Sequence, residues 1–400
     1  MRISGKTVAL VVTGSVAAFK AVPLARLLRR EGAAVVPVLT RGAERFLGAL
    51  SLSAVTDEAA HTDMWDASHP GELHVQLADR ADLVLVAPAT ADFLARMAQG
   101  RADDLASALV LSARGPIAVA PAMHPRMWSH PATQRNVARI ASDGVLVLGP
   151  VHGEVASGEV GLGRMLEPAD IVGAVGRVLS RDLAGLKLLV TAGPTYEDLD
   201  PVRFFGNRST GRMGFAIARQ AALRGAEVRL LAGPVDLDTP RGVERQNVRS
   251  ARELHAAVLE SLPGFDALVM SAAVADFRPR TTTDQKIKRG DLQSVEVELV
   301  QNPDILADVG ARRTGKKPVL VGFALETGTD ESVIAYAQSK LAKKKVDLVV
   351  ANHADDSLGK EDNRVHFVTE GSVVSYPVSH KMAVADRLLD EVRELWQPGS

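Results

Sequence analysis

A twelve-residue pattern written twice constrains this chain more than any other feature. Asp82-Leu83-Val84-Leu85-Val86-Ala87-Pro88-Ala89-Thr90-Ala91-Asp92-Phe93 returns as Asp266-Ala267-Leu268-Val269-Met270-Ser271-Ala272-Ala273-Val274-Ala275-Asp276-Phe277. Each copy is an acidic residue, an apolar run, a loop of small residues and then Ala-Asp-Phe. An apolar run without alternation predicts a strand covered on both faces, as in a parallel sheet. The small residues beyond it let a ligand approach the backbone at the strand's carboxyl end, where open α/β sheets bind ligands. Two copies imply two active domains.

The echo is wider than the motif. The first half reads as strand Thr7–Val12, a turn at Gly14, helix Ala17–Arg30, a glycine terminator at Gly32 and strand Val35–Leu39. The second half repeats this as strand Leu186–Thr191, turn Gly193-Pro194, helix Gly214–Arg224, terminator Gly225 and strand Glu227–Leu231. Strand, glycine loop, helix and strand make a βαβ unit, hence α/β architecture with two doubly wound parallel-sheet domains, Rossmann-like or flavodoxin-like. A chain of 400 residues exceeds one ordinary core. The boundary falls between Ser180 and Gly185, after the helical run Ile171–Leu179, giving domains 1–182 and 183–400.

Composition removes several classes. A net charge of -1 gives no case for nucleic acid or an acidic membrane as partner. Cysteine is absent, which excludes disulfides, thiolate ligands and a catalytic thiol. No apolar stretch is long enough to span a bilayer, and Met1 to Lys6 lead straight into a strand without a signal peptide, so the cytoplasm is the expected location.

In the first half, Gly14-Ser15-Val16-Ala17-Ala18 follows a strand and opens a helix, which places free N–H groups and a hydroxyl where a phosphate fits. It is not Gly-x-Gly-x-x-Gly, so a mononucleotide suits it better than a dinucleotide. A turn that serves only the chain path explains this segment too. Pro121-Ala122-Met123-His124-Pro125-Arg126-Met127-Trp128 follows strand Ile117–Ala120, and such Met and Trp more often complete a core than hold a cofactor. His74 precedes the buried strand, and lone histidines are more often structural than catalytic. Gly153 to Arg164 is glycine-spaced and reads as a flap that closes on a ligand.

In the second half a long polar insertion, Pro194 to Arg212, sits between first strand and helix; its Arg203, Asn207 and Arg208 form a candidate anion cradle. Pro279 to Gln293, with Lys286-Ile287-Lys288, reads as a basic flap. Asn302-Pro303-Asp304-Ile305 looks like a helix start with Pro in its first position. Phe323 follows strand Pro318–Gly322 and is placed to pack against a base. Lys340 and Lys344 are four apart and share a helix face, although most lysine runs are solvated surfaces.

Together, Gly14-Ser15-Val16-Ala17-Ala18-Phe19-Lys20, His74, Ala87-Pro88-Ala89-Thr90-Ala91-Asp92, Pro121-Ala122-Met123 with Met127-Trp128, and Gly158-x-x-Gly161-x-Gly163-Arg164-Met165 resemble the flavin-dependent cysteine decarboxylases. Through the second half the likeness extends to the bifunctional phosphopantothenoylcysteine decarboxylase/phosphopantothenate–cysteine ligases of bacterial coenzyme A synthesis, in order over nearly the whole chain. The resemblance implies FMN held by Gly14, Ser15, Thr40 and Ala87, Pro88, Ala89 and Thr90, with His74 as catalytic base and Met123, His124 and Arg164 at the substrate. Flavin oxidation of the substrate thiol supplies the electron sink that loss of carbon dioxide requires. In the ligase half it implies CTP contacts on Met270, Ser271, Ala272, Asp276, Pro303, Asp304, Ile305, Leu306, Phe323, Lys340 and Lys344. Lys286 and Arg203 would counter charge in the activation step and Asn207 would engage the acyl-cytidylate. Mg²⁺ is expected with the triphosphate rather than in an all-protein cage, so no residue is assigned as a metal ligand. Small-molecule substrates (4'-phosphopantothenate, cysteine, CTP) and a homo-oligomer of trimeric decarboxylase and dimeric ligase parts complete the implication.

The chain departs from the family pattern at three positions. His124 stands where the family has Asn, expected to hold the substrate carboxylate. Ser157 aligns with a cysteine that donates a proton in the final reduction, and a hydroxyl is a far weaker acid. Asp103 stands where Asn is common. Two other readings remain open at this point: an NAD-dependent two-domain dehydrogenase, and a ligase whose first domain binds flavin without catalysis.

Overall fold

The computed structural model describes residues 3–288, 294–353 and 362–396. It divides into two compact units, Met1–Asp182 and Leu183–Ser400. In the first, strands β1 (Thr7–Val12), β2 (Ala34–Leu39), β3 (Leu83–Ala89), β4 (Ile117–Pro121) and β5 (Leu146–Val147) pair in parallel in the order β2-β1-β3-β4-β5. This is the flavodoxin-like order, with its switch point between β1 and β3. Strands β6 (Val151–Glu154) and β7 (Val160–Arg164) form a separate antiparallel hairpin.

The second unit places β8 (Lys187–Ala192), β11 (Glu227–Ala232), β12 (Val243–Asn247), β13 (Ala267–Met270), β16 (Val319–Glu326) and β17 (Leu348–His353) in one sheet, ordered β12-β11-β8-β13-β16-β17. Counted within the unit this is the Rossmann order, with the switch between β8 and β13. The sheet continues through β18 (Asp362–Val368) and β19 (Val373–His380), both antiparallel, a departure from the purely parallel sheet the sequence implied. β18 and β19 follow one another as an antiparallel pair, which a tight turn joins without a crossover helix. Two small ribbons, β9 (Tyr196–Asp198) with β10 (Phe204–Gly206) and β14 (Phe277–Pro279) with β15 (Leu299–Gln301), rise from the loops.

The acid that opens each repeated motif has the same structural task. Asp82 accepts from the Thr7 N–H at 2.8 Å and donates its own N–H to the Thr7 carbonyl at 2.9 Å. Asp266 does the same with Lys187, at 2.9 Å both ways. Each acid therefore clips the start of the motif strand to the first strand of its domain. The two copies part at Ala-Asp-Phe. In the first, these residues open the helix Ala91–Gln99 and Phe93 is 1% exposed; in the second, Phe277 begins β14 and is 54% exposed. The second copy thus turns away from the core where the first enters it.

The helix expected over Ala17–Arg30 is divided into a 3-10 turn, Val16–Lys20, and an α-helix, Ala21–Arg30. A continuous helix would bury Pro23 in its interior, where proline lacks a needed N–H; restarting at Ala21 puts it in the first turn, where that donor is unpaired anyway. The second-domain helix runs Arg212–Leu223 rather than from Gly214. Gly32 and Gly225 end their helices with φ of 95° each, the left-handed geometry that glycine takes without strain. Arg224, fully buried, is paired with Asp386 and Asp390 of the C-terminal helix Lys381–Trp396 at 3.1 and 2.8 Å, so its charge is compensated within the core.

Candidate functional site

Four loops meet at the carboxyl edge of the first sheet. A Cβ on Gly14 would lie 2.9 Å from the Gly42 carbonyl carbon, so glycine there lets the loops after β1 and β2 touch. Thr13, which the sequence reading passed over, donates to the Pro88 carbonyl at 2.7 Å and accepts from the Thr90 N–H at 3.1 Å, tying β1 to β3. Ala122 N–H reaches the Ala89 carbonyl at 3.0 Å, and Met123 N–H the Gly163 carbonyl at 3.0 Å, which adds β4 and the hairpin. A Cβ on Gly163 would stand 2.3 Å from the Met123 oxygen, so this approach also requires glycine.

Within this ring, Ser15 Oγ accepts from Ala17 N–H at 3.2 Å and Thr40 Oγ1 from Ala43 N–H at 3.2 Å. Each hydroxyl uses a lone pair on its own turn and keeps its proton for a ligand. Ala87, Pro88 and Ala89 are buried at the end of β3, so only their backbone is presented, and Thr90 caps the next helix. The rim is apolar: Val16, Phe19, Phe46 and Met127 are 55, 61, 52 and 49% exposed. Hydroxyl and backbone donors beside exposed apolar side chains suit a flat ring system bearing a phosphate. Trp128 belongs to the core, as the sequence reading allowed.

His74 is the second residue of helix Leu73–Arg80; its half-buried imidazole makes no hydrogen bond or ion pair among the described residues. His124 Nδ1 accepts from Arg126 N–H at 3.3 Å, which leaves the proton on Nε2, 3.2 Å from Glu159 of the hairpin. The flap expected over Gly153–Arg164 is that hairpin, β6–β7, with Ser157 exposed at its tip. Arg164 donates to Glu167 at 2.6 Å. Asp103 pairs with Arg101 and lies near Arg96.

The second domain assembles its edge the same way. Ser271 Oγ donates to the Thr191 carbonyl at 2.6 Å, Ala272 N–H to Thr191 Oγ1 at 3.1 Å and Ala275 N–H to Thr195 Oγ1 at 3.0 Å. Asn207 Nδ2 reaches the Val274 carbonyl at 2.8 Å, fastening the insertion to this loop. The expected helix start is shifted by two residues: the helix is Ile305–Arg312, Asp304 is its cap through Ala307 N–H at 3.0 Å, and Pro303 lies outside. Met270, Ile305 and Leu306 are buried, so a ligand meets their backbone and not their side chains. A Cβ on Gly322 would stand 2.7 Å from Leu306, a closeness that brings this helix start against Phe323. Lys340 donates to the Phe323 carbonyl at 2.7 Å and Lys344 pairs with Asp304, both from helix Asp330–Lys344. Burial, then the Lys344 charge, lowers Lys340 below the ordinary lysine value, against the pull of Asp304, Glu326 and Asp276. These three carboxylates and two lysines therefore share one locus.

The insertion is an ordered ribbon, and Arg203 is not a free cation. It pairs with Asp200 at 3.0 Å and donates to the Ile287 carbonyl at 3.1 Å. Asp200, also passed over, accepts from Val202, Arg203 and Ile287 N–H groups at 2.8, 2.8 and 3.1 Å. It anchors the insertion and the root of the Lys286 flap together. The Asp-Pro dipeptide announces such a turn. The basic flap expected over Pro279–Gln293 takes in the end of β14 and reaches 289–293, which lie outside the described residues.

The fold and sites define a two-domain α/β protein with a mononucleotide-type edge in each half. Residues 2–180 match the Flavoprotein family and residues 183–395 the DNA/pantothenate metabolism flavoprotein C-terminal domain. The coenzyme A biosynthesis bifunctional protein CoaBC of Vibrio parahaemolyticus is 41% identical over 399 residues, spanning 98% of this chain and 99% of its own. That of Mycobacterium bovis is 44% identical over 402 residues, spanning 97% and 96%. Among solved structures, the C-terminal domain of a CoaBC protein is 35% identical with a TM-score of 0.46, covering 54% of this chain and 97% of its own. The FMN-dependent cysteine decarboxylase SpaF is 34% identical with a TM-score of 0.39, covering 44% and 97%.

The chain belongs to the CoaBC family of bifunctional coenzyme A biosynthesis proteins. It is an enzyme with a flavoprotein decarboxylase domain followed by a ligase domain, and the dehydrogenase alternative falls. No helix among the described residues is long and apolar enough to cross a membrane.

Proposed function

We propose that domain 183–400 joins cysteine to 4'-phosphopantothenate with CTP, and that domain 1–182 decarboxylates the product to 4'-phosphopantetheine with FMN. The observation that carries the reading is the convergence of Asp276, Asp304, Phe323, Lys340 and Lys344 at the sheet edge, where two lysines and a helix N-terminus favour a triphosphate. The 4'-phosphopantothenate carboxylate attacks the α-phosphorus of CTP, releasing pyrophosphate, and the cysteine amine then displaces CMP from the acyl-cytidylate. Lys286 counters the charge that builds during activation, from a flap root that the Arg203–Asp200 pair holds in place, and Asn207 holds the acyl-cytidylate. Mg²⁺ travels with the triphosphate, and the Asp276 carboxylate, which makes no hydrogen bond or ion pair among the described residues, acts on Lys340 at the same locus.

In the first domain FMN would be held by Ser15, Thr40 and the backbone of Ala87 to Ala89; when bound it supplies the two-electron oxidation of the substrate thiol and the later return of hydride. His74 takes the thiol proton. His124 offers its Nε2–H to the substrate carboxylate, for which Glu159 must give way. The exposed apolar rim of Val16, Phe19, Phe46 and Met127 supports a subunit contact beside the flavin, in keeping with a trimer-based decarboxylase, and the ligase half is read as dimeric. The reading places the protein in the cytoplasm. Incubating purified protein with 4'-phosphopantothenate, cysteine and CTP should yield CMP, carbon dioxide and the final thiol in equal amounts; CMP alone would leave only the ligase half standing.

Two further outcomes follow from this site. Ser157 is exposed at the hairpin tip, so water or another hairpin group supplies the last proton, and Ser157→Ala should give 4'-phosphopantetheine within about threefold of the wild-type rate, well short of the effect of losing a general acid. Accumulation of the oxidised enethiol would assign the proton to Ser157. Because the Lys340 value is lowered, its charge disappears earlier than an ordinary lysine's as pH rises. The KM for CTP should therefore climb on the alkaline limb below the usual lysine range, and Lys340→Arg should move that limb upward. An unchanged limb would remove Lys340 from the nucleotide site.

A further inference from the structure

We propose that Asp330, His353 and His366 form a binding site for a first-row divalent transition ion of the Zn²⁺ type. The site lies in the second domain, apart from any residue assigned to either reaction. In the β17–β18 register Ala351 faces His366, so His353, two residues along, projects on the same sheet face as its diagonal neighbour. The two rings meet edge-on with centroids 5.7 Å apart. Asp330 opens the helix Asp330–Lys344 above them.

The donor geometry suits a metal better than it suits hydrogen bonding alone. Asp330 Oδ1 is 2.9 Å from His353 Nε2 and 3.8 Å from His366 Nε2, and one donor atom from each residue lies within 4.8 Å of the other two. Zn–N and Zn–O bonds of about 2.0–2.1 Å put tetrahedral ligands about 3.4 Å apart, between those two distances. His366 is 2% exposed, and its Nε2 has no hydrogen-bond partner among the described residues. A buried imidazole nitrogen left so is costly unless something ligates it. Its other nitrogen, Nδ1, is 2.8 Å from Ser375 Oγ, the outer contact that fixes ring and tautomer in metal-bound histidines.

Two imidazoles and one carboxylate favour Zn²⁺, Co²⁺ or Ni²⁺ over the oxygen-seeking Mg²⁺ that accompanies a nucleotide. Arg364 Nη1 lies 3.2 Å from the same Asp330 oxygen and competes with the ion for it. Bound there, the ion would clamp the start of the helix that carries Lys340 and Lys344 onto β17 and β18, with a fourth position left for water.

The full-length protein, stripped with chelator and titrated with Co²⁺ in excess Mg²⁺, should take up one equivalent with visible d–d absorption that Zn²⁺ displaces. His353→Ala and His366→Ala should each lose that absorption and weaken uptake more than tenfold. Ser375→Ala, which retains both histidines but frees the His366 ring, tests the site even if an alanine at the histidines impairs folding, and should weaken uptake about 10- to 100-fold. Arg364→Gln should bind at least as tightly as wild type. Absence of saturable uptake by the wild type would overturn the proposal. So would a spectrum unchanged in His366→Ala and Ser375→Ala, or weaker binding in Arg364→Gln.

Discussion

His74→Asn should abolish carbon dioxide release while CMP formation continues at the wild-type rate. The imidazole is the second residue of helix Leu73–Arg80, half-buried, with no hydrogen bond or ion pair among the described residues. A side chain held without an internal partner is available to a ligand. Asparagine keeps much of its size and one hydrogen-bonding edge but cannot accept a proton near neutrality, so substrate binding survives and proton transfer does not. Loss of a general base costs about 10²- to 10⁴-fold. Carbon dioxide from supplied 4'-phosphopantothenoylcysteine, followed beside CMP from the ligase substrates, separates the two halves. If His74→Asn decarboxylates at the wild-type rate, His74 is not the base. A wild type that forms CMP but never releases carbon dioxide would restore the reading of a first domain that binds flavin without catalysis.

Lys286→Gln should produce the mirror image: CMP formation reduced about 10²- to 10³-fold in kcat, the cost of removing one donor from developing charge, and decarboxylation of supplied 4'-phosphopantothenoylcysteine unaffected. The next residue, Ile287, is gripped at both backbone groups, by Asp200 at 3.1 Å and Arg203 at 3.1 Å. Thr283 N–H reaches the Leu199 carbonyl at 3.2 Å. The flap root is thus fixed and Lys286 extends from a defined point. Glutamine retains a donor and most of the length but removes the charge, so the KM for CTP should change little. A rise in KM with kcat preserved would make Lys286 a binding lysine instead. The same result in an Asp200→Asn variant, with Lys286 intact, would locate the effect in the anchor.

Much of both domains was legible because their signals are local. Unbroken apolar runs marked β1, β3, β8 and β13, and the glycines at 32 and 225 marked helix ends because left-handed backbone strains other residues. Other features were not legible because they depend on chain packed from elsewhere. Pro23 divided one expected helix through a hydrogen bond it cannot make. Pro303 fell outside the helix it was expected to open because Asp304 caps it. Arg203 read as an open anion cradle, yet Asp200, whose side chain is fully buried, already holds it. Thr13, Thr191 and Thr195 bind the two motif loops through hydroxyls whose targets lie 75 to 81 residues away. Only the position of each threonine near the carboxyl end of its strand hinted at that. His353 and His366 carried no metal spacing in sequence and became neighbours through an antiparallel register.

By itself the sequence determined that there are two α/β halves, which strands are buried, and where glycine or small residues open a sheet edge, because backbone sterics and burial on both faces are written in each segment. The tertiary structure decided what the two copies of the repeated motif become. Both begin alike, with Asp82 and Asp266 clipped to the first strand of their domains. They end differently, because Phe93 finds a core to fill and Phe277 leaves with β14. One edge is therefore lined by free hydroxyls and exposed apolar side chains, the other by two lysines among three carboxylates. That division of charge arises from packing against distant elements, which no twelve-residue pattern contains.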